Sequence, residues 1–235
     1  MIGSITINGK NSQEFNVFLT DAGIYGMPEK DTETIQVDGR SGDLIIDNGR
    51  YKNKETQFPC VIVDDFENHF TEFIGYLLNQ TGYSRIETSF KPDEYILGRY
   101  IGSVDPTSAV NAKEGKFTIK FDRKPQRYIK EGEYPITFNS SGSLFNQYSG
   151  VALPLVRVYG TGTVTIGSVT ITINSVNEYV DIDCQLQDAF KGATNCNGNI
   201  TLNSNEFFKL NPGSNGITLG NGITQVIITP RWWKL

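Results

Sequence analysis

Val164-Thr165-Ile166-Gly167-Ser168-Val169-Thr170-Ile171-Thr172-Ile173 alternates aliphatic and polar residues on either side of a Gly-Ser pair. Alternation with a period of two marks a strand with one face in a core and the other in solvent, and glycine between two such runs marks the turn. The same signal repeats on both sides of this hairpin. Residues 151–159, 163–166, 169–174, 179–184, 199–203, 206–209 and 223–229 read as short strands separated by turns. About seven short strands in roughly 100 residues fit a β-sandwich, in which inward and outward residues alternate on two packed sheets.

Composition agrees with a mainly β chain. Among 235 residues, Ile, Val and Thr total 59 against 19 for Ala and Leu, and 24 Gly and 9 Pro supply frequent turns. Charge is distributed unevenly. Residues 1–135 hold 16 Lys/Arg and 21 Asp/Glu, whereas residues 136–235 hold 5 of each together with 12 Asn and 11 Gly. This break predicts two domains, 1–135 and 136–235, divided near Glu131-Gly132-Glu133-Tyr134-Pro135.

In the first domain, Ile2, Ile5 and Ile7 with Phe15, Val17 and Leu19 read as two strands around a turn from Asn8-Gly9 to Ser12. Thr34–Val37 and Asp43–Ile46 flank the polar connection Asp38-Gly39-Arg40-Ser41-Gly42 and read as a second, protruding hairpin. Phe66, Phe70, Phe73, Ile74 and Leu77 recur at spacings of three and four, so one amphipathic helix is expected at about 66–80, with Asp65 or Asn68 as N-cap and Gly82 past its end. Residues 83–90, 95–104 and 115–121 are strand-like, and Pro125 closes the segment. The expected fold class is thus mainly β, with an N-terminal β-sandwich-like domain carrying one α-helix and a protruding hairpin, and a C-terminal β-sandwich.

Several function classes lose support. A net charge of −5 with no basic block argues against nucleic-acid recognition. No apolar run approaches the roughly 20 residues of a membrane helix, so membrane insertion is not expected. The start MIGSITINGK lacks a basic region followed by an apolar core, so export by the usual route is not expected, and a reducing site of synthesis favours free thiols at Cys60, Cys184 and Cys196. A Cys184–Cys196 bridge stays sterically conceivable. His69 is the only histidine, and it sits beside the apolar stripe of the expected helix, where an ordinary helix position explains it. No cofactor and no metal site is expected.

Asp64-Asp65 and Asp181 with Asp183 are the paired acids. Carboxylate hydrolysis needs two carboxyls facing across a cleft. Asp181 and Asp183 share one strand face and read as a solvated one, and helix capping explains Asp64-Asp65, so no catalytic residue is assigned. Gly160-Thr161-Gly162 lies between strands, without a following helix to hold a phosphate, and reads as a turn. Trp232 and Trp233 point to opposite strand faces, one filling the core and the other either covering it or making an aromatic contact to sugar or a partner subunit.

Spread over nearly the whole chain are Ile35-Gln36-Val37-Asp38-Gly39-Arg40-Ser41-Gly42-Asp43-Leu44, Tyr51, and Gly82-Tyr83-Ser84-Arg85-Ile86-Glu87-Thr88-Ser89-Phe90-Lys91-Pro92-Asp93-Glu94-Tyr95. They are followed by Ala152–Gly162, Val180-Asp181-Ile182-Asp183-Cys184, Leu210–Ile217 and Thr229-Pro230-Arg231-Trp232-Trp233. In order and spacing these resemble the distal tail protein (Dit) family of long-tailed siphophages. The resemblance implies a structural, non-enzymatic virion protein, assembled in the host cytoplasm and located at the phage tail tip. Its N-terminal domains would form a homo-hexameric ring joining the tail tube to the tail tip or baseplate, as a hub for host adsorption. The C-terminal domain would be a galectin-like or carbohydrate-module-like sandwich projecting outward.

Implied partners are the tail tube protein and a tail-tip or tail-associated lysin-type protein, with receptor-binding protein or cell-wall glycan as further partners. On this analogy Asp38, Gly39, Arg40, Ser41, Gly42 and Asp43 of the hairpin, and the helix, are candidates for ring and neighbour contacts. Only about 100 residues follow Pro135, so the long arm some members insert in this domain is not expected. Two other classes stay open: a β-sandwich module contacting host cell-wall glycans, with Trp232 and Trp233 as the aromatic contact, and a carboxylate hydrolase.

Overall fold

The computed structural model describes residues 2–102, 104, 107–108 and 113–235. The chain forms two compact units, Met1–Arg127 with Leu235, and Tyr128–Lys234. The division falls between Arg127 and Tyr128, ahead of the 131–135 stretch at which the charge count changes. Main-chain bonds explain the position. Ile129 N–H donates to the Trp232 carbonyl and Arg231 N–H to the Gly132 carbonyl, so residues 129–132 are built into the second unit well before Pro135.

In the first unit one sheet curls back on itself. Its strands lie in the spatial order Lys10–Asn11, Ile5–Ile7, Ser84–Thr88, Lys91–Tyr100, Gly115–Ile129, Lys54–Ile62 and Val17–Leu19. Reciprocal bonds of 2.9 and 2.8 Å between Gly3 and Leu19 then join the last strand to the segment entering Ile5–Ile7. Closure removes the exposed edges that an open sheet would present. Every second residue points inward, and Ile5, Ile7, Val17, Leu19, Phe58, Cys60, Ile62, Ile86, Ile96, Ile119 and Phe121 fill the interior.

The expected turn at Asn8-Gly9 is present, but Ile5–Ile7 pairs across it with Lys10–Asn11. Residues Ser12–Phe15 form a short 3-10 helix, and Val17–Leu19 pairs with Lys54–Ile62 instead. Of the strand-like run 95–104, Ser103 lies outside the described residues. The strand Gly115–Ile129 passes through Pro125 instead of ending there. Pairing with Lys54–Ile62 finishes at Arg123↔Lys54, so the missing proline N–H is not demanded by that ladder.

The helix spans Phe66–Leu78, with Asp65 at its N-cap and Gly82, at φ 70°, beyond its end. Asp65 gives no side-chain cap to the backbone, and its carboxylate instead accepts from Asn68 Nδ2 at 2.9 Å. Phe66, Phe70 and Phe73 stand around Phe117, with ring centroids 6.3, 5.0 and 6.3 Å away. A side chain at Gly115 would stand 2.3 Å from the Phe66 ring, so glycine is what lets the helix lie this close.

The second unit is a β-sandwich. One sheet runs Ile136–Phe138, Ile223–Thr229, Leu155–Gly160, Tyr179–Asp183, Asp188–Lys191, Thr194–Asn195. The other runs Gly142–Asn146, Gly213–Leu219, Gly162–Ile166, Val169–Ile173, Ile200–Leu202. Val164, Ile166, Val169, Ile171 and Ile173 are all buried, and Ile166 pairs with Val169 across the Gly167-Ser168 turn. Residues 206–209 do not form the expected strand. Phe208 and Leu210 point into the core, but Leu210 bridges only to Ala152, so the segment is extended without a ladder.

The strand Gly213–Leu219 takes the place beside Gly162–Ile166. It is not among the strands expected from alternation. Asn215 is buried, its amide donating to the carbonyls of Asn211 and Gly213 and its oxygen accepting from Asn211 N–H.

Truncating Phe73 to Ala removes a buried ring from the helix–sheet contact. We expect a loss of about 3–5 kcal/mol in the stability of the first unit. Hydrogen exchange at the amides of Lys54–Ile62, set against those of Val169–Ile173, measures it.

Candidate assembly surface

The strands Lys30–Ile35 and Leu44–Tyr51 pair antiparallel with each other and with no other strand among the described residues. The register places Ile35 opposite Leu44 and Glu33 opposite Ile46, so Ile35, Leu44 and Ile46 share one face. Ile35, Leu44 and Ile46 remain 44, 41 and 40% exposed, and Ile45 on the reverse face is 67% exposed. Val37 extends the apolar content beyond the strand and is also exposed.

At the tip lie Asp38, Gly39, Arg40, Ser41, Gly42 and Asp43, all exposed. Arg40 N–H donates to the Val37 carbonyl, and Gly39 and Gly42 adopt φ of 78° and 87°. At the base, Arg50 meets Asp31 at 2.7 Å and Lys30 meets Asp47 at 3.2 Å. The Asp47 carboxyl is held below its usual range by the Gly49 N–H and then by Lys30. The hairpin is therefore braced within itself while its apolar side chains face solvent. The pattern of sequence around 38–43 located the tip; the exposed stripe lies on the strands either side of it.

The other sequence candidates occupy structural places. His69 Nδ1 lies 3.0 and 3.1 Å from the carbonyls of Asp64 and Asp65, tying down the first helical turn. Trp232 is 5% exposed in the sandwich core. Trp233 is half-buried, with its indole N–H donating to the Val151 carbonyl at 3.0 Å. The turns at Gly160-Thr161-Gly162 and Gly220-Asn221-Gly222 pass so close that a side chain at Gly160 would stand 2.2 Å from the Gly222 carbonyl oxygen. That close approach accounts for the glycines. All three cysteines are free thiols; burial raises Cys60 and pushes Cys184 up to about 12.

Asp181 and Asp183 are buried instead of lying on a solvated face, because each is clamped by an arginine. Arg157 reaches Asp181 through Nε and Nη2 at 2.7 and 2.8 Å, with its guanidinium 4.0 Å from the Tyr179 ring centre. Arg231 reaches Asp183 through both terminal nitrogens at 2.8 Å. Asp183 also accepts from the N–H groups of Gln185 and Leu186, holding the turn after its strand. Burial opposes the charge on Asp183, but the Arg231 bonds and these N–H groups outweigh it and hold the carboxyl below its usual range.

A cleft of about 270 Å³ opens beside the Arg157–Asp181 pair, between Pro135, Leu155, Ile227 and Thr229. The carboxylate at its wall is already bonded bidentately to arginine. A glycosidase acid must carry a proton near neutrality and face a second carboxyl. These two acids instead serve as ion-pair anchors of the sandwich.

No protein-family model matches the chain, and neither does any curated protein. Among solved structures the chain is similar to the Dit protein of phage SPP1, described as a paradigm of the hub adsorption apparatus in phages infecting Gram-positive bacteria. Identity is 13%, 96% of this chain and 97% of that one are covered, and the TM-score is 0.74. The fold described above is therefore the Dit fold. The phage P2 baseplate in its activated, Ca-containing conformation is also similar, at 11% identity, 97% coverage of both chains and a TM-score of 0.48.

Replacing Asp183 with Asn removes the charge that Arg231 grips through both terminal nitrogens. We expect a loss of about 3 kcal/mol at pH 7. A lowered folded-state carboxyl contributes stability above the unfolded value of about 4 and loses it as pH falls through the folded value. The gap between wild type and Asp183→Asn is thus full above about pH 5 and closes in more acidic solution. Both tryptophans lie in this unit, so indole fluorescence during urea titration at several pH values reads the difference.

Proposed function

We propose that this chain is a distal tail protein of a long-tailed phage or prophage: a structural virion component whose first unit forms a homo-hexameric ring between tail tube and tail tip or baseplate. The observation that carries the reading is the exposed hairpin, considered together with the shared Dit fold. A two-stranded sheet standing alone in water is marginal, and three strands or a packed face are needed for it to persist. Ile35, Leu44 and Ile46 form an apolar face that this chain leaves open to solvent. A second copy of the chain is the occupant that completes it.

A hairpin on one copy seated on a different surface of the next is a head-to-tail contact, and such contacts close into a ring when the rotation divides the circle. The polar tip, Asp38, Arg40 and Asp43, suits the rim of that contact, where charged groups stay hydrated. Ring formation needs area and fit rather than reactive groups, which agrees with the arginine-paired acids of the second unit. On this reading the ring binds tail-tube and tip proteins, acts as an assembly hub for adsorption, and is a non-enzymatic part of the virion.

Electron microscopy of the purified protein tests the ring directly. We expect sixfold particles with a central channel. Ile35→Lys with Leu44→Glu should abolish them, with thermal stability changed by under about 1 kcal/mol because these side chains are exposed in the single chain. Protein that stays monomeric at high concentration, alone and mixed with tube and tip proteins, would refute the ring.

A further inference from the structure

Because the hairpin strands pair only with each other, their direction depends on the two points where the chain leaves and re-enters the curled sheet. Lys52 N–H donates to the Glu29 carbonyl at 2.8 Å and closes the base, so the roots are Gly23–Glu29 on one side and Lys52–Lys54 on the other. Arg123 holds the first root. It is 1% exposed and extends inward from the strand Gly115–Ile129 on the same side as Phe121. Its Nη2 donates to the Gly26 carbonyl at 2.9 Å, while Nη1 donates to the carbonyls of Lys124 and Pro125 at 2.9 Å.

The same root is fastened nearby. Thr56 Oγ1 donates to the Ile24 carbonyl at 2.6 Å, the Tyr25 ring meets Phe58 edge-on at 5.7 Å, and Lys91 Nζ sits 3.5 Å over that ring. The second root is held by Asn53 Nδ2, which donates to Tyr83 Oη at 2.6 Å and Asp122 Oδ2 at 3.0 Å.

A buried guanidinium is an expensive peg, and here its bonded partners are main-chain carbonyls. Its Nε finds no acceptor. Were the Gly26 carbonyl to move away, a second donor of a buried cation would lose its partner, so the cation resists displacement of the root. Arg123 is the only charged side chain among the largest fully buried ones, and core packing alone would be met by an aliphatic residue at this inward position.

We propose that Arg123 is the positioning residue that fixes the direction of the hairpin, with Asn53 fixing its second root, so that the apolar face is presented to a neighbouring copy in one orientation. This rests on the ring reading above for what the face is presented to. A pre-set arm loses less freedom on docking than a swinging one, and ring closure multiplies any error in angle around the circle.

The test uses the full chain with Cys196→Ser and a spin label at Ser41→Cys on the tip, compared with a label at Gln13→Cys on the body of the unit. Spectra are recorded at a dilution at which the chain is monomeric. Arg123→Met and Arg123→Lys should add a fast component to the tip spectrum and leave the body spectrum unchanged, since lysine cannot reproduce the fork. The concentration needed for rings should rise roughly tenfold, the cost of ordering a loosened arm at each contact.

Asn53→Ala, a change at an exposed root, should loosen the tip in the same sense, and it decides the matter if the Arg123 variants fail to fold. Tip spectra unchanged in the folded variants, or body and tip loosened alike, would overturn the proposal. Absence of rings in the unmodified chain would refute the ring reading instead, and the tip-mobility comparison would still stand.

Discussion

A pair of β-strands cannot bury its own apolar face. That constraint governs the first unit, because everywhere else the chain removes the problem: the sheet curls until Gly3 meets Leu19, and the helix Phe66–Leu78 seals Phe117 beneath three aromatic rings. Among the described residues, Lys30–Ile35 with Leu44–Tyr51 stands apart, carrying Ile35, Leu44 and Ile46 on one face. The projecting arm carries apolar side chains that stay exposed in the single chain. Arg123 belongs to both body and arm, being part of the interior and bonded to the carbonyl of Gly26 at the root of the arm.

The second unit solves a different problem with few charges. Its core is aliphatic, and two of its carboxylates lie on one strand, Asp181 and Asp183, each locked to an arginine from another part of the sequence. A buried anion with a bidentate partner is stable as a pair and costly to separate, so these groups favour one arrangement of strands and turns over its competitors. Arg231 and the turn N–H groups hold the Asp183 carboxyl below its usual range, and Arg157 occupies both oxygens of Asp181.

Much of this was legible in the chain. The helix, the Gly167-Ser168 turn and the hairpin around 38–43 each rest on residues within about a dozen positions of one another, and periodicity of 2.0 or 3.6 reports such local order directly. Misreadings have equally specific causes. Residues 206–209 carry strand-like alternation yet find no ladder beyond the Ala152–Leu210 bridge. Gly213–Leu219 is absent from the strands expected by alternation, and there buried Asn215 satisfies main-chain groups beside the strand that forms. Pro125 stands inside a strand because its neighbour on that side has already ended at Lys54. Trp232 fills the core, and half-buried Trp233 donates its N–H to the Val151 carbonyl.

By itself the sequence determined the class of fold, the break in surface character between its halves, the one helix and the presence of a projecting hairpin, because these follow from short-range alternation, turn residues and composition. Only the tertiary structure decided that the first sheet closes, that Asp181 and Asp183 meet Arg157 and Arg231, that Arg123 pins Gly26 from 97 residues away, and that Ile35, Leu44 and Ile46 stay uncovered. The physical reason is separation along the chain. Which donor meets which acceptor, and which apolar face is left without a cover, depends on segments brought together by folding, and no local pattern encodes that meeting.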